Sequence, residues 1–145
     1  MSLVNRRAVT IEWGDCDAAG IVFYPRYFAI FDACTGALFK AALGMAKPQW
    51  TARYGILGIP MVDTRSRFAI PSTHGDEVVV ESRIAAFRRS SFDVEHRLLR
   101  PDGALGVEGF ETRVWTVRDP ADPARIRSAP IPPEVIDAFG HVYTT

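Results

Sequence analysis

The stretch from residue 25 to 43 most restricts what this chain can become. Tyr27, Phe28, Phe31, Cys34, Leu38, Phe39 and Ala42 recur at intervals of three and four, and only Arg26, Asp32, Thr35 and Lys40 are clearly polar. That spacing predicts a helix of about five turns, apolar around most of its circumference. A helix with so narrow a polar face has to be covered on several sides, and the rest of the chain must supply the cover.

The remaining residues read as strands. Residues 7–13 alternate Val9, Ile11 and Trp13 against Ala8, Thr10 and Glu12, and residues 61–70 set Val62, Thr64, Ser66 and Phe68 against Met61, Asp63, Arg65 and Arg67. Residues 77–87 carry Val78, Val80, Ile84 and Ala86 on one face. Residues 91–100 place Phe92, Val94, His96 and Leu98 opposite Asp93, Glu95 and Arg97, and residues 104–117 end in Val114, Trp115, Thr116 and Val117. Residues 73–76, 88–90 and Pro101-Asp102-Gly103 are turn chemistry, too short for the crossover that parallel pairing needs. The prediction is an α+β fold: a curved antiparallel sheet of about five strands wrapped around one long central helix. Shorter helices over 48–54 and 133–139 complete it. Gly103, Gly106 and Gly109 fall between strand segments and read as turn and bulge positions, not as a phosphate loop.

Composition narrows the function by exclusion. A chain of 145 residues is expected to form one domain over 1–145. Seventeen Lys and Arg balance seventeen Asp and Glu, which argues against a nucleic-acid partner. Two cysteines, Cys16 and Cys34, give neither a disulfide framework nor a zinc-site spacing and read as free thiols of a reducing cytosol. No apolar leader segment follows Met1, and no apolar run approaches the roughly 20 residues that span a bilayer. A cytoplasmic protein without a membrane partner is therefore expected. Serine-hydrolase, Walker, dinucleotide-loop and HExxH signatures are absent. His74, His96 and His141 fall on a turn, a strand and the tail, so no metal is expected.

Chemistry concentrates in the loop Trp13-Gly14-Asp15-Cys16-Asp17-Ala18-Ala19-Gly20-Ile21-Val22-Phe23-Tyr24-Pro25. Pro25 suits the first helical position, where a missing N–H costs nothing. Unpaired amides and the positive end of the helix dipole then fall at about Tyr24 to Phe28. A carboxylate just upstream of such amides supplies the two parts of acyl transfer, one to attack or activate water and one to hold the developing oxyanion. Asp15 reads as a turn acceptor, and Asp17 either as a loop or cap residue or as the reactive acid. Cys16 has no histidine nearby in sequence and is not expected to be a nucleophile.

The segment Gly14 to Pro25 resembles the signature of hotdog-fold acyl-CoA thioesterases, and most of all their 4-hydroxybenzoyl-CoA thioesterase branch. The likeness extends through Phe31-Asp32-Ala33, Gly55-Ile56-Leu57-Gly58-Ile59-Pro60 and Phe87-Arg88-Arg89-Ser90-Ser91-Phe92. It implies a hotdog fold and hydrolysis of an aryl-CoA thioester with no metal or bound cofactor, coenzyme A being part of substrate and product. It makes Asp17 the catalytic carboxylate, as nucleophile or as general base, and the Tyr24 amide the group that polarises the carbonyl. It assigns Asp32 to the para-hydroxyl of the acyl group, and Arg88, Arg89, Ser90 and Ser91 to coenzyme A, with Ser90 standing where the branch can carry a lysine. It also implies a homo-oligomer, sheets joined edge to edge in dimers and commonly tetramers, with sites at the interface. Ile59 and Phe23 border the expected acyl pocket. The alternatives are a thioesterase for another medium acyl-CoA or an acyl carrier protein, or a non-catalytic acyl-CoA binding protein.

Overall fold

The computed structural model describes residues 2–140; His141 lies outside them. Helix α1 runs over Pro25–Leu43. Pro25 starts it without forfeiting a hydrogen bond, and Gly44 ends it at a φ of 70°, a left-handed turn in which its N–H returns to the Lys40 carbonyl at 2.9 Å. Tyr27, Phe31, Cys34, Leu38 and Phe39 are buried along one side. The cover is narrower than the spacing predicts: Ala29, Ala33, Gly36 and Ala41 are exposed on the other side. Helix α2, Lys47–Tyr54, and helix α3, Pro133–Ala138, follow where expected. No single helix among the described residues is long and apolar enough to cross a membrane.

The sheet has five antiparallel strands in the order β1-β3-β4-β5-β2, formed by Val4–Thr10, Glu77–Phe87, Ser91–Leu99, Leu105–Val114 and Met61–Phe68 respectively. Inward parity carries Val78, Val80, Ile84, Phe92, Val94, Leu98 and Val107 into the core, as the alternation predicts. Strands β1 and β2 form the edges, and β2 is exposed along nearly its whole length. A short ribbon of β6, Thr116–Arg118, and β7, Ile126–Ser128, lies apart from the main sheet.

Three expectations are corrected. The first strand ends at Thr10, and Trp13 is not one of its inward residues: it opens a 3-10 turn over Trp13–Asp15, is 75% exposed, and meets His74 edge-on. The last predicted strand breaks at Trp115, whose N–H bonds the Ser90 carbonyl while its indole stacks on Trp50 in the core. Gly109 is neither turn nor bulge. It sits inside β5, where a Cβ would fall 2.5 Å from the Phe31 ring, so glycine is what lets α1 approach the sheet. A register shift after Ile84 also sets Ala86 opposite outward-facing Asp93.

Candidate active site

The loop between β1 and α1 closes on itself before the helix begins. Cys16 bridges Val22, the Asp17 N–H donates to the Ile21 carbonyl at 3.0 Å, and the Phe23 N–H donates to the Asp15 carbonyl at 2.8 Å. Gly20, at a φ of 80°, makes the reversal that this small hairpin needs. The hairpin is pinned to residues 71–73: the Val22 N–H donates to the Ser72 carbonyl, and the Ser72 N–H donates to the Tyr27 hydroxyl at 3.1 Å. Asp15 accepts from the Glu12 N–H at 2.9 Å, the turn role expected of it.

At the tip of this hairpin the exposed Asp17 carboxylate accepts one hydrogen bond, from the Ala19 N–H to Oδ1 at 2.8 Å. Its other oxygen takes none among the described residues. At the base, Tyr24 already has helical angles (φ −51°, ψ −35°) and precedes Pro25. The N–H groups of Arg26 and Tyr27 are satisfied by the carbonyls of Phe23 and Tyr24, whereas the Tyr24 N–H finds no acceptor among the described residues. A free amide at the positive end of a 19-residue helix is a ready donor to a polarised carbonyl. Beside it lies an apolar cavity of about 290 Å³ lined by Tyr24, Tyr27, Phe68, Ile70 and Val107 among others.

Asp32 follows Tyr24 two turns along α1, roughly 12 Å by helical rise. Its Oδ1 accepts from Arg113 Nη2 at 2.7 Å. Arg113 is the outer member of a buried polar network under α1. Its Nε donates to Glu111 Oε1 at 2.8 Å and its Nη1 to the Ile59 carbonyl at 3.1 Å. Glu111 also accepts from the Thr35 hydroxyl at 2.7 Å and from His96 Nε2 at 3.0 Å. His96 Nδ1 meets the Ser82 hydroxyl at 2.7 Å, and the imidazole stacks flat on Phe31 at 4.8 Å. Burial pushes the Glu111 carboxyl up, but the hydrogen bonds from His96 and Arg113 outweigh it and hold it below the usual glutamate range. For Arg113, burial pulls downward, and the hydrogen bonds and charges of Glu111 and Asp32 outweigh that too. Sequence reasoning missed this network. The available signal was parity: His96, Glu111 and Arg113 all occupy inward positions of their strands, where a charged residue requires a partner.

The β3–β4 hairpin holds the expected coenzyme A residues, and one arginine there is already engaged. Arg88 donates from Nε to the Ser91 hydroxyl at 2.8 Å and from both terminal nitrogens to Asp93, at 3.0 and 2.7 Å. This fork holds the Asp93 carboxyl below the usual aspartate range. Arg89 is exposed, and its side chain takes no partner among the described residues; only its carbonyl is used, by the Ile131 N–H. The Ser90 carbonyl accepts from Trp115. The hairpin and Asp17 are at opposite ends of the sheet, because the Asp17 hairpin is tied to residues 72–76 at the start of β3 while Arg88 follows its end. Eleven residues of strand separate them, roughly 30 Å. Among the described residues no three His, Cys, Asp or Glu side chains converge to hold a metal ion.

The family model of the Thioesterase-like superfamily matches residues 11–139, which takes in the Asp17 hairpin, the three helices and the whole network. The chain belongs to this thioesterase-like superfamily. Within it, the chain is 33% identical over 135 residues to the 4-hydroxybenzoyl-CoA thioesterase of Pseudomonas sp. strain CBS-3, covering 88% of this chain and 91% of that protein. The solved structure of the Pseudomonas enzyme superposes with a TM-score of 0.84 at 31% identity, covering 93% of this chain and 98% of that one. A second structure, an aspartate-to-asparagine mutant of a 4-hydroxybenzoyl-CoA thioesterase complexed with 4-hydroxybenzoyl-CoA, also gives 0.84 at 30% identity, covering 94% and 98%. A gentisyl-coenzyme A thioesterase gives 0.76 at 30% identity, covering 90% and 98%. The superfamily member described here is thus a hotdog-fold thioester hydrolase.

Proposed function

We propose that this thioesterase hydrolyses a hydroxylated aryl-CoA, of which 4-hydroxybenzoyl-CoA is the type, to the free acid and coenzyme A. The observation that carries the reading is the unpartnered Tyr24 N–H at the helix head, joined through one tight hairpin to a carboxylate, Asp17, with an unbonded oxygen. The thioester oxygen accepts from the Tyr24 amide, which becomes a stronger partner as charge develops on that oxygen; such a donor contributes about 2.7–4 kcal/mol to the transition state. Asp17 attacks the carbonyl carbon and the C–S bond breaks, releasing coenzyme A as the thiolate and leaving a mixed anhydride that water hydrolyses. Alternatively Asp17 takes a proton from water, which attacks directly and expels the same thiolate. Neither route requires a metal or a bound cofactor. The relatives support the aryl assignment, since 4-hydroxybenzoyl and gentisyl are both hydroxylated aromatic acyl groups. Asp32 accepts from the ring hydroxyl in this reading.

The phosphates of coenzyme A meet the β3–β4 hairpin, Arg89 foremost with Ser90 beside it, while Arg88 and Ser91 brace the turn through Asp93. Because hairpin and Asp17 stand at opposite ends of one sheet, a single substrate engages both only if they come from different copies. The exposed β2 edge, which presents Met61, Val62 and Phe68 alongside unpaired backbone groups, supports edge-to-edge assembly in a homodimer and from there a tetramer. The free Cys16 and Cys34 support a cytoplasmic setting. A spectrophotometric screen for thiol release from 4-hydroxybenzoyl-, benzoyl-, hexanoyl- and palmitoyl-CoA tests the reading. The hydroxylated aryl ester is expected to have the highest kcat/KM; release from none of them, or strongest release from palmitoyl-CoA, refutes it.

A further inference from the structure

We propose that Arg113 is the positioning residue that sets this enzyme's preference for a hydroxylated acyl ring, by fixing the orientation of the Asp32 carboxylate. The proposal rests on the reading above, in which Asp32 accepts from the acyl hydroxyl, and extends it to a residue 81 positions away in the chain.

Asp32 by itself is a poor recognition group. Its side chain is 67% exposed on a helix face, free to turn among rotamers and to stay hydrated, so a hydroxyl would gain little by replacing water. Arg113 changes this because it cannot move. Its side chain is 6% exposed, and its planar fork is held at two other points, Glu111 Oε1 and the Ile59 carbonyl. Glu111, 2% exposed, is held in turn by Thr35 and His96, and His96 by Ser82 and the Phe31 ring. Rigidity is passed outward from the core of the sheet to one oxygen of one surface carboxylate.

The geometry leaves the second oxygen available. Arg113 reaches Asp32 through a single nitrogen, to Oδ1, and Asp32 Oδ2 takes no hydrogen bond among the described residues. Asp32 and Arg113 together line an open cavity of about 400 Å³, separate from the one beside Tyr24, whose other walls include Lys47, Leu57, Ile59 and Met61. An acceptor held in one orientation discriminates because Oδ2 offers a hydroxylated acyl ring a pre-set hydrogen bond that a ring without the hydroxyl cannot make.

The test is the ratio of kcat/KM for 4-hydroxybenzoyl-CoA over benzoyl-CoA, measured within each preparation so that any loss of folded enzyme cancels. The ratio is expected to fall about tenfold in Arg113→Met, close to its value in Asp32→Ala. Arg113→Lys keeps the charge but cannot span Glu111, Ile59 and Asp32 together, and is expected to give an intermediate ratio; it is also the variant to use where Arg113→Met does not fold. A ratio within twofold of wild type in both Arg113 variants, with a tenfold fall in Asp32→Ala, overturns the proposal alone. A wild-type enzyme that releases no thiol from either ester, or shows no preference between them, overturns the function reading and the proposal with it.

Discussion

Glu111→Gln is the perturbation whose outcome the structure specifies most fully. Glu111 is one of the most deeply buried acids described, and it accepts from Thr35, His96 and Arg113. Glutamine is nearly isosteric and can keep most of these contacts. Its carbonyl accepts from Thr35 and Arg113, and its NH2 faces His96 Nε2, which can accept if the imidazole proton moves to Nδ1 and donates to Ser82. What disappears is the charge opposite a buried guanidinium, leaving only the exposed Asp32 to balance it. Breaking a buried pair from one side costs about 3 kcal/mol, somewhat less where the hydrogen bonds re-form. At this chain length that corresponds to a Tm lower by roughly 10 °C at fixed protein concentration, read by differential scanning fluorimetry and by urea unfolding. The pH dependence follows from the lowered carboxyl. A group whose pKa is depressed on folding contributes stability that is fully present above its unfolded value, about 4.3, and is lost as pH falls through the folded value. The stability gap between wild type and Glu111→Gln is therefore flat near neutrality and narrows below about pH 4. A Tm within 2 °C of wild type, or a gap that does not narrow on acidification, refutes the reasoning.

Gly109→Ala should lower the Tm by an amount equivalent to about 1–3 kcal/mol, because its Cβ meets a Phe31 ring already packed on His96; an unchanged Tm would show that the ring can yield freely. Arg89→Ala is expected to raise KM for acyl-CoA and to flatten its dependence on salt while leaving kcat nearly unchanged, since a phosphate contact made equally in ground and transition state alters binding alone. Arg88→Ala should instead destabilise the hairpin, measurable as faster amide exchange at residues 88–93, since it removes the fork on Asp93.

Local features of this fold are legible in the sequence and long-range ones are not, and particular residues show why. Pro25 and Gly44 bracket α1 because each acts through its own backbone, and β3 begins and ends where its alternation does. The Asp17 loop was legible because its acids and glycines are neighbours in the chain. Trp13 misled, since an apolar residue at strand parity counts as inward unless the turn after Ile11 is known. The cover of α1 was overestimated because apolar spacing includes small residues such as Ala29 and Ala33, which one chain leaves exposed. The network stayed hidden for a different reason. Thr35 and Glu111 are 76 positions apart and His96 and Glu111 are 15, so their hydrogen bonds exist only once the sheet has set its register under the helix.

The central claim is that Asp17 performs the chemistry while the Tyr24 amide and the pocket bind the ester, and Asp17→Asn separates these roles most directly. Asparagine keeps an oxygen for the Ala19 N–H, so the hairpin should stand, but it neither attacks the thioester nor takes a proton from water. Single-turnover thiol release from 4-hydroxybenzoyl-CoA, measured beside the Kd of the same ester, is expected to slow by about a thousandfold or more while Kd changes only a few-fold. Release within tenfold of wild type would contradict the account, whatever the affinity.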